Sequence, residues 1–294
     1  MAAAPDSPPR PVVVDEERIR ELVTEADALA SARAAFTAMA TEGAVQQPPP
    51  MGYDLPDDEV EIHVKGAALA GAPAMAVKIA TGGYKNRERG LGPAGAGLVI
   101  VVDTHTGYPA AILLENAYLT DMRTAAAGAL ASLLLMPPEP STGCTLAILG
   151  AGMQARLHAR SITSAMPGRF AKIVLWARDA EKGATAAARM QAELAKHAPS
   201  VTVCSDPTVP GAVSGADLVV SVTPSRTALL EAEWLHPSAT VVAVGSDGAG
   251  KREVADSVLE AAALSVVDNR EQCGSLGELQ YASAKQLAGA VPLG

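Results

Sequence analysis

Hydrophobic and polar positions divide this chain into two differently patterned halves. From Thr145 onward, short apolar runs recur: TLAILG, KIVLWAR, VTVC, ADLVVSVTP, TVVAVGS and finally ALSVVDN, which closes the series. Amphipathic, alanine-rich stretches fill the gaps, among them ARLHARSITSAM, EKGATAAARMQAELAKHA and a turn with helix around LEAEWL. Nearly continuous apolar strands alternating with helices predict a parallel sheet covered on both faces, an α/β fold.

The first half reads differently. Val12–Val14 is a strand, and Asp15 caps a helix with Glu16 and Glu17 in its first turn, where carboxylates suit the helix dipole. A second helical pattern runs from about Glu25 to Thr41 and is broken by Gln47-Pro48-Pro49-Pro50. A β-rich stretch follows: VEIHVKGA, AMAVKIATGG and AGLVIVVDTHTGYPAAILLEN, the last a hairpin turning at Asp103–Gly107. LTDMRTAAAGALASLLLM is helical, with Thr120-Asp121 as its cap. Met136-Pro137-Pro138-Glu139-Pro140 stops it and marks a domain junction. Residues 1–140 and 141–294 are therefore expected to form two domains.

Composition narrows the classes. At 49% hydrophobic and only 3% aromatic residues, the core must be aliphatic. A net charge of −9 without a basic run repels phosphate backbones, so nucleic acid is not an expected partner. Apolar runs all fall short of the ~18 residues that signal a membrane span. The N-terminus lacks the apolar region of a secretory signal. Cys144, Cys204 and Cys273 are scattered, as expected of unpaired thiols in a reducing cytoplasm. His63, His105, His158, His197 and His236 have no metal-ligand spacing.

The candidate chemistry begins at Gly150-Ala151-Gly152-Met153-Gln154-Ala155, directly after TLAIL. Strand, glycine turn and helix make the G-x-G-x-x-A dinucleotide-binding fingerprint. Gly150 permits the tight turn, and Gly152 presents no side chain to a pyrophosphate. Ala155 lets the helix sit close on the strand, and the N–H groups at Met153 and Gln154 open the helix toward the phosphates. At the end of the second strand, roughly 20 residues on, a carboxylate usually binds the ribose 2′-OH. Ala177 and Arg178 stand there instead, leaving room and charge for a 2′-phosphate, which favours NADP(H). A shift of register onto Asp179 would favour NAD(H), and Arg178 could also be an ordinary solvated residue. Thr223, at the end of ADLVVSVTP, is a further cofactor-binding candidate.

VKIATGGYKNRERGLGPAGAGLVIVVDTHTGYPAAILLENAYLTDMRTAAAGA, LAILGAGMQARLHA and VVAVGSDGAGKREV together resemble the ornithine cyclodeaminase/μ-crystallin family. LTDMRTAAAGA is the most specific piece, and EVEIHVKGA with GGYKNRERGLGP is most similar to the ectoine-utilisation branch. The resemblance implies a Rossmann domain plus an α/β dimerisation and substrate domain, hence a homodimer. It also implies tight NAD(P)(H) binding and action on α-amino or α-imino acids. Residue by residue, it makes Arg123 the holder of the substrate carboxylate, a task suited to a planar two-pronged donor. Lys78 lies beside the substrate α-carbon, able to polarise the carboxylate or deliver a proton. Thr124 contacts cofactor phosphate, Asp247 stands at the nicotinamide edge, and Lys65 could face the same pocket as Lys78. On residue type alone, Arg123 could form a surface salt bridge. Lys78 could lie on an exposed face and Asp247 could cap the loop before Lys251.

Two departures stand out. Gln46-Gln47-Pro48-Pro49-Pro50 replaces a region where classical members carry a second carboxylate-binding arginine. The chain also stops soon after LGELQYASAKQLAG, so the family's returning C-terminal segment is expected to be absent. The leading expectation is an NAD(P)H-dependent oxidoreductase reducing α-imino acids or cyclic ketimines, or oxidising amino acids. The alternatives are an ammonia lyase of the cyclodeaminase type, using NAD⁺ catalytically, and a crystallin-like protein that binds cofactor without turnover.

Overall fold

The computed structural model describes residues 8–55, 59–83, 85, 86 and 88–294. They form two compact units, one within Met1–Asp27 and Thr37–Met122, the other Ala28–Phe36 and Arg123–Gly294.

The first unit is built on a mixed sheet. Strand β1 (Val12–Asp15) leads into α1 (Glu16–Leu22), whose first turn is capped by the Asp15 carboxylate accepting from Arg18 N–H at 2.9 Å. Helix α2 spans Glu25–Met39, slightly shorter than its pattern predicts, and its residues Ala28–Phe36 group with the second unit. Strands β2 (Val45–Gln46), β3 (Met51–Leu55), β4 (Val60–Leu69), β5 (Ala74–Gly83), β6 (Gly95–Asp103) and β7 (Pro109–Leu114) follow. Their order is β1-β7-β6-β5-β4-β2, with β3 also paired to β4. The β1–β7 pairing is parallel and the others are antiparallel. The β6–β7 hairpin turns where the sequence predicts it, with Asp103 Oδ1 accepting from His105 and Thr106 N–H.

Helix α3 spans Tyr118–Leu135. It begins two residues before Thr120, so the expected Thr120-Asp121 cap is corrected: both residues lie inside the first turn. The group that meets the exposed N–H donors is the buried Glu115 carboxylate, which accepts from Leu119 N–H (2.7 Å) and Thr120 N–H (3.2 Å).

The second unit contains the predicted parallel sheet. Strands β8 (Cys144–Leu149), β9 (Phe170–Trp176), β10 (Thr202–Ser205), β11 (Leu218–Ser221) and β12 (Thr240–Ala243) lie in the order β10-β9-β8-β11-β12. The chain thus reverses direction across the sheet between β8 and β11, the switch point of a Rossmann-type fold. Alternate side chains explain the uninterrupted apolar runs. Leu146 and Ile148 enter one buried cluster with Ala155, Ala159 and Ile162 of helix α4 (Met153–Ala165) and with Met190 of α5 (Ala180–Leu194). Ala147 and Leu149 enter another, with Val209 and Val213 of α6 (Val209–Val213) and Val258 of α7 (Asp256–Ala261). Both faces are covered, as in all-parallel sheets generally.

Two expectations are corrected here. ALSVVDN does not extend the large sheet: Val266–Val267 (β13) pairs with Val291–Pro292 (β14) in a separate two-stranded ladder. Its short apolar run packs with Leu279 and Ala290, beside helices α8 (Arg270–Ser275) and α9 (Ala284–Gly289). Around LEAEWL the chain makes only a 3₁₀ turn, Ala232–Trp234, too short for an amphipathic face. The cysteines are free. Among the described residues, no helix is long and apolar enough to cross a membrane.

Candidate cofactor and substrate sites

The glycine turn after β8 is shaped as its sequence requires. Gly150 has φ +131°, and a Cβ there would lie 3.0 Å from Val222 Cγ2 and 3.1 Å from Val222 O. Its N–H donates to Trp176 O at 2.8 Å, tying the turn to the end of β9. Gly152 sits at the N-cap of α4 without a side-chain cap, and a Cβ there would meet nothing within 4 Å. The space over it is open, and the first turn of α4 carries no acidic residue. Met153 and Gln154 open the helix, and Ala155 is buried against the sheet. One turn on, His158 is buried without exposure; its Nδ1 donates to Gln154 O at 2.9 Å. Its Nε2 faces Gly128 of α3, where a Cβ would come within 2.4 Å. Burial pushes the His158 pKa down to about 4, so the ring is neutral near pH 7.

After β9, Ala177 is half-buried and Arg178 exposed. Asp179 is occupied as the N-cap of α5, its Oδ1 accepting from Lys182 N–H at 3.0 Å.

At the carboxyl ends of β11 and β12 the structure reveals a residue that the sequence reading missed. Glu253 has no solvent exposure. Its Oε1 accepts from Thr223 N–H (2.6 Å) and Thr223 Oγ1 (2.8 Å). Its Oε2 accepts from Gly245 N–H (2.7 Å) and Ser221 Oγ (2.9 Å). Burial raises its pKa above the usual carboxylate range, against the lowering effect of these bonds. Glu278 lies behind it, accepting from Glu253 N–H (2.7 Å) and Val254 N–H (3.3 Å). Burial, with the neighbouring Glu253 charge, raises the Glu278 pKa as well. Asp247, two residues past Gly245, is largely exposed and pairs with Lys251 Nζ at 2.5 Å.

In the first unit, Lys65 on β4 and Lys78 on β5 are direct register partners. Opposite residues of neighbouring strands share a sheet face. Lys78 Nζ donates to Thr120 Oγ1 (3.2 Å), and Thr120 Oγ1 donates to Glu115 Oε1 (3.3 Å). Gly97 leaves room for this group: a Cβ there would lie 3.1 Å from Glu115 Oε1 and 2.6 Å from Ile79 O. Arg123 is exposed and Thr124 half-buried on α3, in residues that group with the second unit. The structure thus brings Lys65 and Lys78 together in one unit. In the other it gathers the glycine turn with Thr223. The signal for Glu115 and Glu253 was faint: a glutamate ending the apolar run AAILLE, and one within KREVA. A fully buried glutamate is rare enough to mark a special position, but burial is not visible in a single sequence. Among the described residues, no group of three or more His, Cys, Asp or Glu could hold a metal ion.

The strand order and glycine turn define a Rossmann-type α/β protein. The family model for the ornithine cyclodeaminase/mu-crystallin family matches residues 10–291, and the chain belongs to that family. A protein of Rhizobium meliloti (strain 1021) named as a dehydrogenase is 40% identical over 279 residues, covering 95% of this chain and 81% of that protein. The ketimine reductase mu-crystallin of Mus musculus is 32% identical over 230 residues, covering 78% and 68%. Among solved structures, the iminosuccinate reductase of Paracoccus denitrificans in complex with NAD⁺ superposes with a TM-score of 0.83. It is 26% identical, covering 96% of this chain and 84% of that one.

Proposed function

We propose that this protein is an NAD(P)H-dependent oxidoreductase acting on C–N bonds of α-imino acids or cyclic ketimines. The observation that carries the reading is the N-cap of α4 behind the Gly150 turn, where Gly152 brings no side chain and a Cβ would meet nothing within 4 Å. It fits a dinucleotide: a pyrophosphate would meet unfilled space, backbone N–H donors and the positive end of a 13-residue helix. The reductase names of the mouse and Paracoccus relatives support the class of reaction.

Met153, Gln154 and the flanking backbone would hold the phosphates, with Thr124 and Thr223 as further contacts. Asp179 is engaged in capping α5, and exposed Arg178 follows small Ala177, which supports a preference for NADP(H). The NAD⁺ complex of the iminosuccinate reductase supports NAD(H) as the second cofactor to test. A reduced nicotinamide supplies a hydride to the imine carbon while a proton reaches the nitrogen, giving the amine and the oxidised cofactor. Arg123 is the proposed anchor for the substrate carboxylate. Lys78, oriented by Thr120 and Glu115, balances charge and is the proposed proton donor, with Lys65 adding positive potential on the same face. Asp247 is the proposed partner of the substrate nitrogen, and its present bond to Lys251 would have to be exchanged.

We further infer that the first unit pairs with a second copy of the chain. Every residue of β3 is exposed, and Val12, Val13, Met51 and Tyr53 are each more than half exposed.

The test is loss of NADPH or NADH absorbance with a panel of cyclic ketimines, and with keto acids plus amines. Turnover that Arg123→Ala and Lys78→Ala each reduce by about 10²-fold or more is the expected result. Ammonia release from diamino acids with NAD⁺, without net cofactor reduction, would instead make it a lyase.

A further inference from the structure

Glu253 is a charge-bearing group sealed inside the protein, yet nothing in the proposed chemistry uses it. Its four donors come from the ends of two adjacent parallel strands, β11 and β12. The backbone of the same segment repeats the connection: Leu229 and Leu230 N–H donate to Glu253 O, and Arg252 N–H donates to Ser225 O. Gly245 is pressed so closely on the next strand end that a Cβ would fall 2.7 Å from the Glu253 carboxyl carbon and 2.1 Å from Thr223 O. One carboxylate therefore clamps the Thr223 loop to the Gly245–Asp247 loop.

This clamp adjoins the glycine turn. Val222, the neighbour of Thr223, touches Gly150 and donates its N–H to Leu149 O at 2.9 Å. A dinucleotide straddles the switch point of such a sheet. Bound that way here, the adenosine half would lie toward β9 and the nicotinamide half over the ends of β11 and β12. Resting on the dinucleotide reading above, we propose that Glu253 is a positioning residue that fixes the Thr223 and Gly245–Asp247 loops for the nicotinamide half of the cofactor. It would touch neither cofactor nor substrate.

Glu253→Gln is the informative variant. Its amide group would turn N–H donors toward a backbone N–H at Thr223 or Gly245, so one of the two loses its acceptor. The full chain and the variant are titrated with NADPH, NADH, ADP-ribose and 2′-phospho-ADP-ribose, following nicotinamide fluorescence for the first two and calorimetry for the others. Glu253→Gln is expected to bind the better nicotinamide cofactor about tenfold or more weakly, the scale of a lost charge-assisted hydrogen bond. The emission of the bound nicotinamide should shift toward that of the free cofactor. Affinity for the matching ADP-ribose form should be unchanged. Equal affinities in parent and variant, or parallel loss for both ligand types, would overturn the proposal. If Glu253→Gln does not fold, Ser221→Ala removes one of the four bonds and is expected to give the same selective loss at about threefold; loss without selectivity there counts against it equally. A parent protein that binds neither cofactor would fail the dinucleotide reading itself, which is a different result.

Discussion

The two units solve the problem of covering a sheet in opposite ways. In the second, β8 carries four consecutive residues, Leu146 to Leu149, without any exposure, and helices close both faces. In the first, β4, β5 and β6 are longer strands, but no apolar side chain on them is fully buried. The fully buried residues described in that unit are few, and one of them is the polar Glu115. A sheet is stable only when an apolar face is covered. The second unit carries its cover in its own sequence, whereas the first leaves its sheet half-open in the single chain. The difference teaches where each job is placed: a self-sufficient cofactor platform, and a surface whose completion is proposed to come from a second copy.

The largest test of this contrast is a pair of core truncations. Ile148→Ala removes a side chain with no exposure and should cost about 2–5 kcal/mol, independent of protein concentration. Ile100→Ala, on half-buried β6, should cost about 1 kcal/mol in dilute protein and more where a second copy covers the sheet. Urea unfolding at two protein concentrations measures both. Equal costs at both positions in dilute protein would erase the contrast.

A second test uses acid. His158 of α4 lies buried against Gly128 of α3, and its folded pKa of about 4 lies below the ordinary 6.5. Protons therefore bind the unfolded chain first as pH falls, so this residue's stability is full above about 6.5 and declines through the interval down to about 4. The loss should reach about 3 kcal/mol by pH 4. Thermal unfolding across that interval, compared with His158→Gln, checks it; an unchanged pH slope in the variant would sink the assignment.

The same contrast explains what the sequence made legible. The parallel sheet was readable because burial on both faces writes itself as uninterrupted apolar runs, and because Gly150 and Gly152 punctuate the first turn. The first unit was harder. Strand β3 leaves no sign in MGYDL, since an edge strand exposed along its whole length has no alternation of burial to imprint on the sequence. Val266–Val267 looked like a further strand of the large sheet because a local run does not say which partner it will find. The start of α3 falls earlier than Thr120-Asp121 suggests because its donors are met by Glu115, three residues before the helix. The strand pattern leaves open whether Lys65 faces the same way as Lys78, and the register pairs them; the Glu253 clamp depends on contacts to Thr223 and Ser221, 30 and 32 residues away along the chain.

The smallest expected change in the single chain is the sharpest probe of the open sheet. Tyr53 on β3 is 55% exposed, and none of its neighbours in that strand is buried. Placing a charge there by Tyr53→Asp should alter the stability of the isolated chain by no more than about 0.5 kcal/mol, as for other surface substitutions. If a second copy covers this edge, the same carboxylate would have to be desolvated in the dimer, at a cost of several kcal/mol. Sedimentation equilibrium should then show dimer in the parent and monomer in the variant, with nearly identical thermal unfolding once both are diluted to monomer. A variant that stays dimeric would move the interface away from β3, and a monomeric parent would mean the half-open sheet is complete as it stands.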